Sequence, residues 1–239
     1  MKTAIITGAS RGIGLACLQK FLEEGWLVIG TYCDTPITIS HPNAVFFKYD
    51  QSDPSSVCAF AMGVFDLLSK KKTEMTADTA ADVKIDVLIN NAGILLDPND
   101  ETANLEKIKR TMDVDLYGII DLTERLLPAM ANGSHIVNVN SGYGSFSSPI
   151  DYNGSIGYRI AKAALNMYTR TLAFRLQDQN IIISSFDPGW VATDMGNSLA
   201  TETEKPSRQT HQPAQEVYLL VTTTKENGQF WRFGQKRDW

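Results

Sequence analysis

The sequence predicts an α/β domain built on a parallel sheet. Three observations carry that expectation. Short apolar, β-branched runs alternate with helical stretches along the whole chain. The first such run passes straight into a glycine-rich turn and then a helix, Thr7-Gly8-Ala9-Ser10-Arg11-Gly12-Ile13-Gly14-Leu15. The length of 239 residues, with 43% hydrophobic and 21% charged content, suits one domain with a sizeable core.

The elements follow in order. Lys2–Thr7 reads as a buried strand, Leu15–Glu24 as a helix stopped by Gly25, and Trp26–Tyr32 as a second strand. Ala44–Tyr49 is a third strand ending at Asp50. Asp53 as N-cap and Pro54 at the first helical position then open a helix from Ser55 to about Leu68. The polar stretch Ser69–Asp82 reads as a helix end plus a surface loop. Ile85–Ile89 is a fourth strand, and Leu105–Met130 a long helical region interrupted near Pro128. Ser134–Asn140 is a fifth strand, followed by a loop over Ser145–Ile156 and a helix from Gly157 to about Leu176. Ile181–Phe186 is a sixth strand, residues 196–213 a mobile flap, Ala214–Thr224 a last helix and Gly228–Phe233 a last strand.

Charge and cysteine usage narrow the function classes. A formal net charge of -5 argues against a broad basic face, so nucleic acid is not an expected partner. No apolar run reaches the length of a membrane span, and the first residues lack the pattern of a signal peptide. Cys17, Cys33 and Cys58 are odd in number and lack metal-ligand spacing. Reduced thiols, a cytoplasmic location and no metal site are the expectation.

Several stretches carry chemistry. Gly8, Gly12 and Gly14 between a strand and a helix let backbone approach a pyrophosphate, with the helix N-terminus supplying N–H groups and dipole. Asn90-Asn91-Ala92-Gly93 lies at the end of a strand, where ligands bind in open parallel sheets. Tyr158 and Lys162, four apart on a helix, stand on one face. A cation there favours the phenolate, so the tyrosine pKa is expected to fall toward working pH, although the same spacing also fits a solvated surface pair.

Taken together, these motifs resemble the short-chain dehydrogenase/reductase family in its compact one-domain form. Thr7-Gly8-x-x-x-Gly12-x-Gly14, Asn90-Asn91-Ala92-Gly93, Ser141 before a glycine loop, Tyr158-x-x-x-Lys162 and Pro188-Gly189 followed by Thr193 occur in that order over nearly the whole chain. The resemblance implies a Rossmann-type doubly wound parallel sheet in a single domain. It implies Tyr158 as acid/base, Lys162 beside it on the nicotinamide ribose, and Ser141 on the substrate oxygen. It assigns cofactor contacts to Gly8, Ser10, Arg11, Gly12, Ile13, Gly14, Asp50, Asn90, Ala92, Gly93, Pro188, Gly189, Val191 and Thr193. Asp115, three residues before Gly118, stands where the family usually has an asparagine, and Asn140 stands at the first of two usual serines. The loop before Tyr158 is longer than usual, which makes Tyr143, Asp151 and Tyr152 candidate substrate contacts. The ending Asn227-Gly228-Gln229-Phe230 to Trp239 is similar to the C-factor-like and sniffer-type carbonyl reductase branch.

The expected function is hydride transfer between a nicotinamide and a carbonyl or alcohol substrate. Tyr32 occupies the acidic position associated with NAD(H), and Arg11 can reach a 2′-phosphate. NADP(H) is therefore favoured, with NAD(H) possible because Asp34 lies nearby. The alternative is a dinucleotide-binding regulatory protein on the same fold. The family also implies a homodimer or homotetramer through the helices Leu105–Leu127 and Tyr158–Leu176; the periodic Ala164, Leu165, Tyr168 and Leu172 permit such an interface, and the same residues could instead face the sheet.

Overall fold

A computed structural model describes residues 1–74, 84–150 and 152–239. Eight strands form one sheet in the order β3-β2-β1-β4-β5-β6-β7-β8. The strands are β1 (Thr3–Ile6), β2 (Leu27–Tyr32), β3 (Ala44–Lys48), β4 (Ile85–Asn90), β5 (Met130–Val139), β6 (Ile182–Asp187), β7 (Gln229–Arg232) and β8 (Gln235–Lys236). Neighbours from β3 to β7 run parallel, and β8 returns antiparallel to β7. Strand order reverses at β1, between β2 and β4. The ends of β1 and β4 therefore open the crevice in which such sheets bind ligands.

Alternation along each strand feeds two apolar layers. Ile5 and Ile29 face one side with Leu88, Ile136 and Ile183. That layer packs α2 (Pro54–Glu74) through Val57, Phe60 and Val64, α4 (Gly118–Leu126) through Leu122, and α5 (Ile156–Arg175) through Leu172. Ala4 and Ile6 face the other side, against Leu18 and Phe21 of α1 (Gly12–Glu23) and Val217 of α7 (His211–Thr223). The period of two in the sequence thus becomes a sheet covered on both faces, as a parallel sheet requires.

The structure moves several boundaries. Helix α1 starts at Gly12 rather than Leu15, because Leu15 N already donates to Arg11 O and closes the first turn over the last glycines. Helix α2 continues past Leu68 through the three lysines to Glu74, and the remainder of the expected polar loop lies outside the described residues. Strand β5 begins at Met130, with a register shift against β4 that accommodates the extra residues. The β7–β8 hairpin turns at Phe233 and Gly234, both at positive φ, and sequence periodicity does not disclose its short return strand.

The long middle helix is divided. Between α3 (Leu105–Met112) and α4, residues Asp113–Tyr117 form a π-helical turn in which Gly118 N–H reaches back to Asp113 O. Such a turn leaves a carbonyl without a helical partner. Buried Gln51 supplies one, donating from Nε2 to Val114 O at 2.7 Å and to Ala92 O at 3.1 Å. Gly118 has no room for a side chain here, since a Cβ would lie 2.0 Å from Gln51 O.

The segment after β6 is anchored at both ends. Thr193 caps the short helix α6 (Asp194–Asn197), accepting from Gly196 N at 3.0 Å. Arg208 is buried, pairs in backbone with Val191 and donates to Pro188 O at 2.6 Å and to Glu216. On α5, Leu165 and Leu172 face the protein interior, which removes both from the expected interface residues. The exposed apolar positions on that helix are Ile160, Met167 and Phe174, seven residues apart.

Gln51→Leu is expected to destabilise the fold by about 1–3 kcal/mol, because two partly buried carbonyls lose their donor. Urea unfolding of both proteins reads the difference. An unchanged midpoint would mean the π-helical turn does not depend on this amide.

Candidate active site

The site forms at the carboxyl ends of β1, β4, β5 and β6. Gly8 and Gly12 adopt φ values of +65° and +59°, a region that favours glycine. A Cβ on Gly14 would lie 2.2 Å from Gly8 O, so the turn closes on itself only without side chains. Thr31 holds it from β2, accepting from Gly8 N through its hydroxyl and from Ala9 N through its carbonyl. No side chain caps the N-terminus of α1. Backbone without side chains at an uncapped helix N-terminus fits the pyrophosphate of a dinucleotide. Ser10 and Ile13 lie in the same turn, half-buried.

Asn91 knits this turn to β4. Its Nδ2 donates to Thr7 O at 2.8 Å and Gly8 O at 3.2 Å, while the N–H groups of Asn91 and Ala92 donate to Thr7 Oγ1 at 3.0 Å. Asn90, the expected contact, points elsewhere: its amide donates to Asn138 Oδ1 and Thr123 Oγ1 in the core. The two adjacent amides were indistinguishable by motif, and strand alternation separates them. Gly93 lies beneath Asp115, whose Oδ2 would be 2.9 Å from an added Cβ. Asp50 stands exposed beyond β3, its carboxylate accepting from Ser52 N and Oγ in the turn into α2.

On the other side of the cleft, Pro188 and Gly189 follow β6, with Gly189 at φ +72°. Asp187 Oδ1 accepts from Gly189 N at 2.9 Å and shapes that turn. Val191 is buried, and Thr193 Cγ2 would meet a Cβ on Gly12 at 3.2 Å, so this loop borders the glycine turn. Arg11 reaches across to Asp194, Nη1 to Oδ2 at 2.9 Å, rather than toward the end of β2. Both side chains are exposed.

Tyr158, Lys162 and Ser141 converge between these walls. Ser141 precedes a 3₁₀ turn (Gly142–Gly144) and accepts from Tyr143 N at 3.1 Å. Its hydroxyl bears on the Tyr158 phenol and favours the ionised form. Lys162 Nζ sits 5.3 Å from the Tyr158 ring centroid, donates to Val139 O at 3.2 Å and pairs with Asp115 Oδ2 at 3.0 Å. Asp115 Oδ1 accepts from Ile94 N at 2.8 Å. Asn140 brackets the strand end to the helix, donating to Lys162 O and Asn166 Oδ1 and accepting from Ser141 N. The start of α5 is held by a residue the motifs did not flag. Buried Asp97 accepts from Gly157 N through Oδ2 and from Ser155 N through its carbonyl, with Ser155 at φ +61°.

The expected fall in the Tyr158 pKa is not what the surroundings produce. Burial raises it, Lys162 pulls it down, Asp115 and Asp187 push it up again, and Ser141 lowers it. The net direction is upward. Burial of the phenol is the chief cause, and the Asp115 carboxylate, a charge that an asparagine would not carry, adds to it. For Lys162, burial opposes the charge, but Asp115 and Tyr158 outweigh it and raise its pKa. Burial raises Asp115 as well, against the pull of Lys162 and Ile94 N. Of these opposed influences on the pair, the firmer is the raised lysine, whose ammonium is held by two oxygens.

Tyr143 lies between the other two tyrosines of the site, its ring 5.8 Å from Tyr152 and 6.4 Å from Tyr158. Arg159 lies over both Tyr143 and Tyr152, at 4.2 and 5.1 Å. Tyr152 is bonded to Ser155 through their hydroxyls. Asp151, the third candidate substrate contact, lies outside the described residues.

Comparison with known proteins gives this geometry its class. Residues 2–204 match the short chain dehydrogenase family, and the chain belongs to that family. It is a nicotinamide-dependent oxidoreductase. It is 32% identical over 203 residues to the 3-oxoacyl-[acyl-carrier-protein] reductase FabG of Thermotoga maritima, covering 83% of this chain and 77% of that protein. It is 31% identical over 215 residues to the L-xylulose reductase of Aspergillus niger, covering 81% and 68%. The structure of NADPH-bound carbonyl reductase from chicken fatty liver superposes with a TM-score of 0.85 at 26% identity, covering 100% of this chain and 99% of that one. Caenorhabditis elegans Sniffer shares the fold, with a TM-score of 0.79 at 24% identity over the full length of both chains. Among the described residues no helix is long and apolar enough to cross a membrane.

The Lys162–Asp115 pair sets a pH-dependent stability. A raised lysine pKa contributes stability that is complete below the ordinary value of 10.5 and is lost as pH rises through the folded-state value. In Asp115→Asn the largest raising influence disappears and burial dominates, so the folded lysine pKa drops below 10.5 and the sign reverses: stability should rise, not fall, as pH climbs toward 10.5. Urea unfolding across alkaline pH measures it. Coincident alkaline limbs in the two proteins would show that Asp115 does not hold the charge on Lys162.

Proposed function

We propose that this protein is an NADP(H)-dependent carbonyl reductase or alcohol dehydrogenase, with Tyr158 as the acid/base. The observation that carries the reading is the convergence of Ser141, Tyr158 and Lys162 beside a glycine turn that has no room for side chains. A bound nicotinamide dinucleotide supplies the hydride. The glycine turn, with Ser10, Arg11 and Ile13, is the proposed pyrophosphate site. Ala92, Gly93, Pro188, Gly189, Val191 and Thr193 are the proposed walls of the nicotinamide half. Asp50 is the proposed adenine contact.

Reduction builds negative charge on the carbonyl oxygen, and oxidation of an alcohol requires a proton to leave it. Ser141 and Tyr158 present two hydroxyls to one position, which stabilises the developing charge more than the neutral carbonyl. Tyr158 is the group that gives the proton. Its elevated pKa keeps it protonated at neutral pH, which suits the reductive direction. Lys162, held by Asp115 and Val139 O, keeps a positive charge beside the phenol. The likeness to the NADPH-bound carbonyl reductase from chicken fatty liver supports carbonyl reduction with NADPH. The missing acidic residue at Tyr32 and the presence of Arg11 support NADP(H), which requires Arg11 to leave Asp194. Tyr143, Tyr152 and the exposed Phe146 and Ile150 give the loop before α5 an apolar and aromatic character suited to a carbonyl substrate. The segment 194–213 is the proposed opposite wall.

The test is oxidation of NADPH or NADH with a panel of diketones, quinones and aldehydes. Wild type should turn over with NADPH preferred, and Tyr158→Phe should lose about 10²–10⁴-fold in kcat while NADPH still binds. Equal inertness of both proteins with NADPH bound would favour the regulatory alternative instead. We also propose self-association through the exposed Ile160, Met167 and Phe174 of α5 with Tyr117 nearby in sequence to α4. Sedimentation velocity should report a dimer or tetramer, and a monomer at micromolar concentration would exclude it.

A further inference from the structure

We propose that Arg237 is a positioning residue for the reaction: by pairing with Asp187 and holding the loop after Ser141, it fixes the serine turn and screens Tyr158 from a buried carboxylate. The proposal rests on the reading of Tyr158 as the acid/base. Arg237 lies beyond β8, outside every motif of the family and outside the matched residues 2–204.

The segment 237–239 folds back over the edge of the site. Arg237 Nη1 donates to Asp187 Oδ2 at 2.5 Å, and Nη2 donates to Ser148 Oγ at 2.7 Å. Ser145 and Ser147 hydroxyls donate to Asp238 O, and Ser147 N donates to Trp239 O at 3.1 Å. Trp239 stacks on buried Phe230 of β7 at 5.4 Å and lies under the Arg170 guanidinium. The loop that carries Ser141 is thus tied on its outer side to this one segment. Contact is close enough that a Cβ on Gly142, the residue after Ser141, would meet Arg237 Nη1 and Asp187 Oδ2, each at 3.1 Å.

Asp187 is the electrostatic half of the device. It is 3% exposed, spends Oδ1 on Gly189 N, and faces Arg237 at 2.5 Å and Arg232 at 3.4 Å. Four polar or charged groups bear on the Tyr158 phenol: Lys162 from its own helix, Asp115 from the π-helical turn, Asp187 from β6 and Ser141 from the turn after β5. Asp187 disfavours the phenolate. Its own neutralisation comes chiefly from Arg237, the nearer of its two arginines. Removing Arg237 exposes Tyr158 to more of the Asp187 charge, and removing the Asp187 charge leaves two arginines uncompensated nearby.

The experiment uses Arg237→Met, Asp187→Asn and the double variant in the full chain. Asparagine keeps an oxygen for Gly189 N. The ionisation of Tyr158 is read in two ways: the pH profile of alcohol oxidation with NADP, and the tyrosinate ultraviolet absorbance in each background minus the same background carrying Tyr158→Phe. Arg237→Met should move the ionisation to higher pH and lower kcat for oxidation at neutral pH by about tenfold. Asp187→Asn should move it below wild type, and the double variant should return toward wild type. An unmoved ionisation in Arg237→Met, or a double variant no nearer to wild type than Arg237→Met, overturns the proposal. If Arg237→Met does not fold, Asp187→Asn decides alone: a downward shift supports the charge coupling and no shift removes it. If wild type oxidises no alcohol, the functional reading fails while the absorbance titration still tests the coupling.

Discussion

A buried ion pair holds this site in register. Asp115 and Lys162 are 3.0 Å apart, one fully buried and the other almost so. Taking two charges out of water costs several kcal/mol for each ion, repaid only where geometry is good and remaining lone pairs and protons find partners. The surroundings meet that condition in part: Ile94 N donates to Asp115 Oδ1 and Val139 O accepts from the lysine, while Asp115 Oδ2 meets the ammonium as an ion pair without a hydrogen bond. Those two backbone groups belong to the segments following β4 and ending β5. One pair therefore references the middle helix, the strand ends and α5 to one another. The π-helical turn places Asp115 at the pair, and Gln51 satisfies a carbonyl of that turn.

The same logic governs the phosphate side. Thr7, Thr31 and Asn91 satisfy the polar groups around the glycine turn without occupying the helix N-terminus. Structural hydrogen bonds are kept behind the turn, and the face toward the cleft is left to a ligand. Glycine at positions 8, 12 and 14 follows from two constraints at once. Two of them need left-handed backbone, and the third has no space for a Cβ beside Gly8 O.

Most of the fold was legible because its signals are local. Alternating apolar runs disclose β1 to β6, and Asp53-Pro54 marks the start of α2, with Asp53 Oδ1 accepting from Ser55 N. Motif order names the candidate site residues, several of which the fold gathers at the carboxyl ends of the central strands. What stayed hidden depends on contacts distant in sequence. The π-helical turn has no periodic mark, since its cost is met by Gln51, 63 residues away from Val114. Asp97 supports the start of α5 from 60 residues away, and no motif includes it. The direction of the Tyr158 pKa was misjudged because spacing within one helix reveals Lys162 but not the burial, nor the carboxylates at 115 and 187. Leu165 and Leu172 show the same limit, since helical periodicity finds an apolar face without saying which layer it meets.

The charges around Tyr158 form a balanced set rather than a single activating lysine. Lys162 is answered by Asp115, and Asp187 by Arg237 and Arg232. The first is a balanced pair and the second sets one carboxylate between two guanidiniums, while burial of the phenol sets the upward direction. It follows that a change at any one of these five side chains acts on the tyrosine through its partner as much as directly, and single substitutions will not add. A family member with asparagine at position 115 would have an unanswered lysine and a more acidic phenol. With aspartate there, the chain keeps a protonated tyrosine over a wider pH range.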